Sequence, residues 1–399
     1  MRILILGVLI LLNGLIHGVQ AKSYSLGSTG FDFSGDFAFT LKALDRRTTI
    51  NINNRGDDPF NTYRIRSFIN KQWSEDIGAA IEFLWDSGAD PRIQGAYFTF
   101  DNILLPNLSA KLGLIPSPFG NFGWRSTYFN QNPLIGVPML WHYHTPLPKD
   151  GSATNESLAP ENRPTHLRSG ITPAYDACWD TGLWLQYSAG IFEASLAATE
   201  ATLASARAAE NDGIQQIVTL GLHPRPGLRF GASFAYGPWL FGTPQPSDAS
   251  SESSTAAPPD RQVDNIEEYA QTAFGGYFEY SLGHVQLFAE GLSMTLDTPY
   301  IYEGEIGLMT GYGELRWNFT PGWYAAGRYG VLVYSEIAQF NDGTGPSSPW
   351  GFDLHRIEAA IGYRVLREGY IRLDYQRSMF FDDTVTPVQI LALQWFFAF

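Results

Sequence analysis

From Phe31 to the end, the chain alternates apolar and polar positions in segment after segment. In FDFSGDFAFTL, Phe31, Phe33, Phe37, Phe39 and Leu41 share one face, and Asp32, Ser34, Asp36 and Thr40 the other. YRIRSFI sets Tyr63, Ile65 and Ile69 against Arg64 and Arg66, and IGAAIEFLW sets Ile81, Phe83 and Trp85 against Glu82. The same period runs through LSAKLGLI (Lys111), LRFGASFAY (Arg229), VQLFAEGLSMTL (Gln286, Glu290) and GELRWNF (Glu314, Arg316). It continues through YAAGRYGVLVY (Arg328), LHRIEAAIGYRVL (Arg356, Glu358, Arg364) and YIRLDYQR (Arg372, Asp374). The final segment, ILALQWFFAF, places Leu391, Leu393, Trp395, Phe397 and Phe399 on one face. Period two predicts strands, and about sixteen are counted, IQQIVTLGL being the least regular.

The connections alternate in length. Short links fall near 73–76, 101–107, 188–190, 223–227, 281–283, 320–322 and 367–369, and long polar ones near 42–58, 117–177, 199–213, 237–265, 297–305, 336–351 and 378–387. A soluble sandwich has no reason to keep one end tight and the other elaborate. A transmembrane antiparallel β-barrel does, with short periplasmic turns and long extracellular loops. It also requires an even strand number, an apolar outside and a polar inside, and leaves no unpaired edge in lipid. The expectation is an all-β barrel of about sixteen strands, closed by pairing the last strand with the first.

The N-terminus, MRILILGVLILLNGLIHGVQA, has a basic start, a short apolar run and a small-residue cleavage site, which predicts a signal peptide over residues 1–21. Residues 22–399 then form one barrel domain. Composition narrows the class further. With 27 Phe, 20 Tyr, 11 Trp and 40 Gly the chain suits many strands, and a single Cys excludes an intrachain disulfide framework. The formal net charge of -14 argues against a nucleic-acid partner.

With signal peptide, alternating strands, terminal Phe399, a long third outer loop and LGLIPSPFGNFG (Leu112–Gly123), the sequence resembles the bacterial outer-membrane porins, general and substrate-selective. The Pro-Phe-Gly segment looks like that of phosphate-selective porins. The chain has few lysines, so phosphate selectivity is not carried over. The resemblance implies a homotrimer in the outer membrane, in contact with lipid and lipopolysaccharide. It also implies that Phe399 is read by the barrel assembly machinery, and that loop 117–177 folds inward and narrows the pore. The implied function is a water-filled channel for passive diffusion of ions and small hydrophilic solutes.

Strand parity nominates the pore-lining charges: Arg64, Arg66, Glu82, Lys111, Arg229, Glu290, Glu314, Arg316, Arg328, Arg356, Glu358, Arg364, Arg372 and Asp374. Opposed charges across a lumen set up a transverse field, and Arg64/Arg66 with Arg356/Arg364/Arg372 form the candidate positive ladder. The surplus acid, Asp86 among it, is expected in turns and outer loops. His142 and His144 in WHYHT have no carboxylate pair or nearby thiol, so neither metal nor cofactor is expected. No Gly-x-Ser-x-Gly or His-Glu-x-x-His occurs, and the chain is not expected to be an enzyme. Two alternatives remain: a transporter for hydrophobic compounds, and a structural or adhesive barrel.

Overall fold

The computed structural model describes residues 24–25, 30–44, 62–87, 90–121, 132–162, 170–174, 179–200, 202–204, 213–241 and 265–399. The expected signal peptide, Cys178 and the polar loop Pro246–Gln262 lie outside the described residues. Sixteen long strands form the barrel. They are β1 (Phe31–Leu44), β2 (Tyr63–Gln72), β3 (Ile77–Asp86), β4 (Arg92–Phe100), β5 (Leu108–Pro116), β6 (Trp179–Ala189), β7 (Phe192–Thr199) and β8 (Gln215–Arg225). The second half comprises β9 (Leu228–Pro238), β10 (Ala270–Leu282), β11 (Val285–Asp297), β12 (Glu305–Thr320), β13 (Trp323–Tyr334), β14 (Leu354–Leu366), β15 (Gly369–Phe380) and β16 (Val388–Ala398). Each pairs antiparallel with its neighbour in sequence, so every connection is a hairpin. IQQIVTLGL is a strand as expected, paired on both sides.

β16 closes the barrel on β1 in a register running from Ile390↔Leu44 to Ala398↔Asp36. The last rung joins the chain terminus to the first strand: Phe399 N–H donates to Gly35 O at 2.8 Å, and Gly35 N–H to Phe399 O at 2.8 Å. Closure matters because an unpaired backbone group in hydrocarbon costs roughly several kcal/mol. Gly35 has a steric role here. A Cβ on it would stand 2.5 Å from the Phe399 ring, which packs there against Phe33 with centroids 6.0 Å apart.

The outward face is a belt of exposed apolar side chains, including Leu41, Phe98, Phe274, Met309, Trp317, Tyr329, Leu373 and Trp395. Exposed to water, such a belt would aggregate; against lipid it supplies the transfer free energy that holds the barrel in place. Among the described residues no helix is long and apolar enough to cross a membrane; the chain crosses with strands.

The inner face differs from the expectation of a uniformly polar wall. Toward the extracellular ends of β11 to β14, the inward positions are Leu292, Met294, Leu296, Ile306, Leu308, Leu332, Tyr334 and Leu354, all buried. They form one apolar cluster with Phe119, Met139, Leu140, Trp141, Leu147, Leu158 and Ile171 of the 117–177 connection. Among the described residues, that connection carries two one-turn helices, α1 (Met139–His142) and α2 (Asn155–Leu158), the second capped by Thr154. The outer link after β13, read from sequence as polar loop, also contains a small hairpin pairing Glu336–Ala338 with Ser347–Pro349.

Candidate functional site

All fourteen nominated charges sit at inward parity, but nine of them are buried: Arg66, Glu82, Glu290, Glu314, Arg328, Arg356, Glu358, Arg372 and Asp374. Burying a charge is costly unless it is paired and hydrogen-bonded, and three networks meet that requirement.

The first spans β1 to β3. Arg66 Nη2 approaches Asp36 Oδ2 at 2.6 Å and its Nη1 approaches Glu82 Oε1 at 3.9 Å. Arg64 Nε donates to Asp86 Oδ1 at 2.8 Å. Asp86 is thus not a loop acid, as the sequence suggested, but the last inward residue of β3, and this rung of the expected positive ladder is compensated.

The second network joins β7 through β12 to the long connection. Arg229 Nη2 meets Glu193 Oε2 at 3.2 Å, which also accepts from His223 Nε2 at 2.8 Å when that nitrogen carries the proton. Arg229 Nη1 donates to Asn121 Oδ1 at 3.2 Å, and Asn121 Nδ2 to Glu279 Oε2 at 3.3 Å. Glu290 then receives three donors: Asn121 N–H at 2.7 Å, Trp141 Nε1–H at 2.9 Å and Tyr312 O–H at 3.2 Å. Two of those donors belong to the connection.

The third network, across β12 to β16, holds the connection most firmly. Arg328 Nη2 donates to Glu314 Oε2 at 2.6 Å, and its Nη1 to Glu358 Oε1 at 3.3 Å. The same guanidinium reaches Gly136 O at 2.8 Å and Asn132 Oδ1 at 3.0 Å. Arg372 Nη1 donates to Asn132 O at 2.5 Å, Tyr324 O–H to Pro133 O at 2.9 Å, and Ile135 N–H to Asp374 Oδ2 at 2.6 Å. Arg356 donates to Ser378 Oγ at 3.0 Å and lies over the Tyr143 ring at 5.9 Å. Burial pushes the Tyr143 hydroxyl above its ordinary value, the Arg356 guanidinium opposing; it stays protonated and serves as a neutral platform. Residues 132–136 therefore lie as a strap across the inner wall, fixed at both edges by charge-assisted bonds.

Of the remaining five charges, Arg364 is exposed and the others are partly buried. Lys111 stands over the rings of Trp184 at 4.4 Å and Tyr97 at 5.4 Å. Arg64 and Arg229 are half-buried in the pairs above, and Arg316 and Arg364 lie near the short-turn end. Among the described residues no group of three or more His, Cys, Asp or Glu is placed to hold a metal; the side chain of His142 lies outside them. Sequence reasoning did not pick out Asn121, Asn132, Trp141, Tyr312 and Tyr324. Tyr312 and Tyr324 carry a legible signal, inward parity beside a charged residue. The two asparagines carry none, because their positions depend on where the connection folds.

No family model and no curated protein matches the sequence. Solved structures match in fold. OmpT of Vibrio cholerae superposes with a TM-score of 0.54 at 10% identity, over 94% of this chain and 100% of that one. Its in-vitro folded trimer form gives 0.50 at 10%, over 92% and 99%. OmpF of Salmonella typhi, in complex with daunomycin, gives 0.52 at 12%, over 92% and 97%. The fold is that of the bacterial outer-membrane porin barrels, and the apolar belt fits that membrane.

Proposed function

We propose that the protein is a porin, passing ions and small hydrophilic solutes by diffusion through a water-filled channel. The observation that carries this reading is the strap at 132–136. It is bound to inward Arg328, Arg372 and Asp374, so the barrel is narrowed from one side by an ordered connection. Along β11 to β15 the inner wall is covered by the connection, and in this reading solutes pass where the wall is left uncovered. Among the described residues, the apolar inner half near the extracellular end is covered by the connection itself. This speaks against a carrier of hydrophobic compounds. The activity is passage, not catalysis.

Most of the buried wall charges compensate one another, and the surplus of acid lies elsewhere in the chain. At about 0.15 M salt the screening length is about 8 Å, so mouth charges enrich cations at low salt and lose that influence as salt rises. Assembly as a homotrimer, with Phe33, Phe37 and Phe39 beside Leu393, Trp395 and Phe397 at the contact, and recognition of Phe399 by the assembly machinery belong to the same proposal. The test is single-channel recording in a planar bilayer. Ohmic steps with weak cation preference at low salt support the porin; folded protein without steps refutes it and favours a structural or adhesive barrel.

A further inference from the structure

At the short-turn end, the inner wall of β12 to β15 opens into a cavity of about 470 Å³. Its walls include Arg316, Arg364, His284, Tyr324, Tyr370 and Trp323. Two irregularities shape it, since the β12–β13 register shifts between Trp317 and Thr320 and the β14–β15 register between Arg364 and Leu366. Bulges of this kind re-aim side chains at barrel rims. Among the described residues lining the cavity there is no carboxylate. That sets it apart from the wall networks, where Arg64, Arg66, Arg229 and Arg328 all stand against Asp or Glu.

The two guanidiniums are held by aromatic rings. Arg316 lies over the Tyr324 ring at 4.5 Å, and Arg364 over Tyr370 at 5.1 Å. Arg364 Nε donates to the Tyr370 hydroxyl at 3.0 Å, its Nη2 shares that acceptor, and its Nη1 has no hydrogen bond among the described residues. Arg364 and Arg372 both lie near enough to Arg316 for like charges to repel. A bound anion relieves that repulsion. A hydrated inorganic ion would use the guanidiniums and waste the rings; a carboxylate on an aromatic body uses both, the fork meeting the carboxylate and the rings meeting the body.

The geometry points to a binding site for small aromatic carboxylates at the periplasmic mouth, with Arg316 and Arg364 taking the carboxylate and Tyr324 and Tyr370 the ring. The site adjoins the constricting strap, since Tyr324 also holds Pro133, but it does not depend on whether the barrel conducts. The test is fluorine NMR of 4-fluorobenzoate with the full-length barrel in a neutral maltoside detergent, each variant first checked for heat-modifiable migration. Saturable broadening is expected, displaced by benzoate, weakly by inorganic phosphate, and absent with 4-fluorobenzyl alcohol. Arg364→Gln and Arg316→Gln are each expected to weaken binding about tenfold, the loss of one charge-assisted hydrogen-bonding group. Arg364→Lys restores only part, and the outward-facing Arg377→Gln changes nothing. Should Arg316→Gln fail to fold, the exposed Arg364 decides the question alone. No binding, unchanged affinity in Arg364→Gln, equal binding of the alcohol, or equal displacement by phosphate each overturns the assignment.

Discussion

Arg328→Ala cuts the strap at its centre. The guanidinium makes two bonds to the connection, Gly136 O at 2.8 Å and Asn132 Oδ1 at 3.0 Å, and pairs with Glu314 and Glu358. Two separable costs follow. Leaving buried carboxylates without their partner destabilises the wall by about 3–5 kcal/mol. For the strap, each bond to a charged donor is worth about 1.5–3 kcal/mol, so two lost bonds weaken anchoring by at least about 3 kcal/mol. At about 1.4 kcal/mol per tenfold, that is a shift of roughly a hundredfold toward the released strap. Arg372, Tyr324 and Asp374 still hold residues 132–135, so the strap moves rather than leaves. The expected record is a larger mean conductance with frequent fluctuation between levels, where the wild type shows one steady level. Arg328→Lys keeps the charge, loses the fork and falls between. A folded Arg328→Ala barrel with wild-type conductance, noise and thermal midpoint would refute the reasoning, because the strap would then not be held by these bonds.

Replacing Arg64 and Arg66 with Ala removes two positive charges from beside Asp36, Glu82 and Asp86, leaving Arg92 4.0 Å from Asp86; reversal potentials under a salt gradient are expected to shift toward cations, and no shift would remove this wall from the conduction path. Phe399→Ala removes a ring from the closing seam without touching the two terminal backbone bonds. Assembled barrel recovered from membranes is expected to fall, while refolding of purified protein in detergent is affected less; equal losses in both would assign Phe399 to packing alone. Gly35→Ala puts a Cβ 2.5 Å from that ring and 2.6 Å from Arg66 O. It is expected to cost about 1–3 kcal/mol of overpacking, read as a lower unfolding midpoint.

Much of this protein is legible as one-dimensional pattern. The strand period fixes which residues face lipid, since a slip of one position would turn Trp395 or Phe98 inward and a charge outward. The alternation of short and long links fixes the two ends of the barrel, and an even number of crossings fixes closure of β16 on β1. These are local or nearest-neighbour properties, and Arg64, Glu290 and Arg328 were placed on the inner face by parity alone. Parity says which side a residue faces, however, and not what lies over it. Whether an inward arginine is wet or buried depended on a connection more than two hundred residues from Asp374 in sequence. Asp86 changed from a loop acid to the partner of Arg64 because β3 runs one residue further than its apolar run suggested. The inward Leu292, Met294 and Leu296 broke the polar expectation for the same reason: their apolar character makes sense only with Trp141 and its neighbours packed against them. A periodic pattern is set by residues adjacent in the chain, whereas the strap, its charge networks and the basic cavity at the short-turn end are set by contacts between strands and a folded connection. Only tertiary structure brings those together.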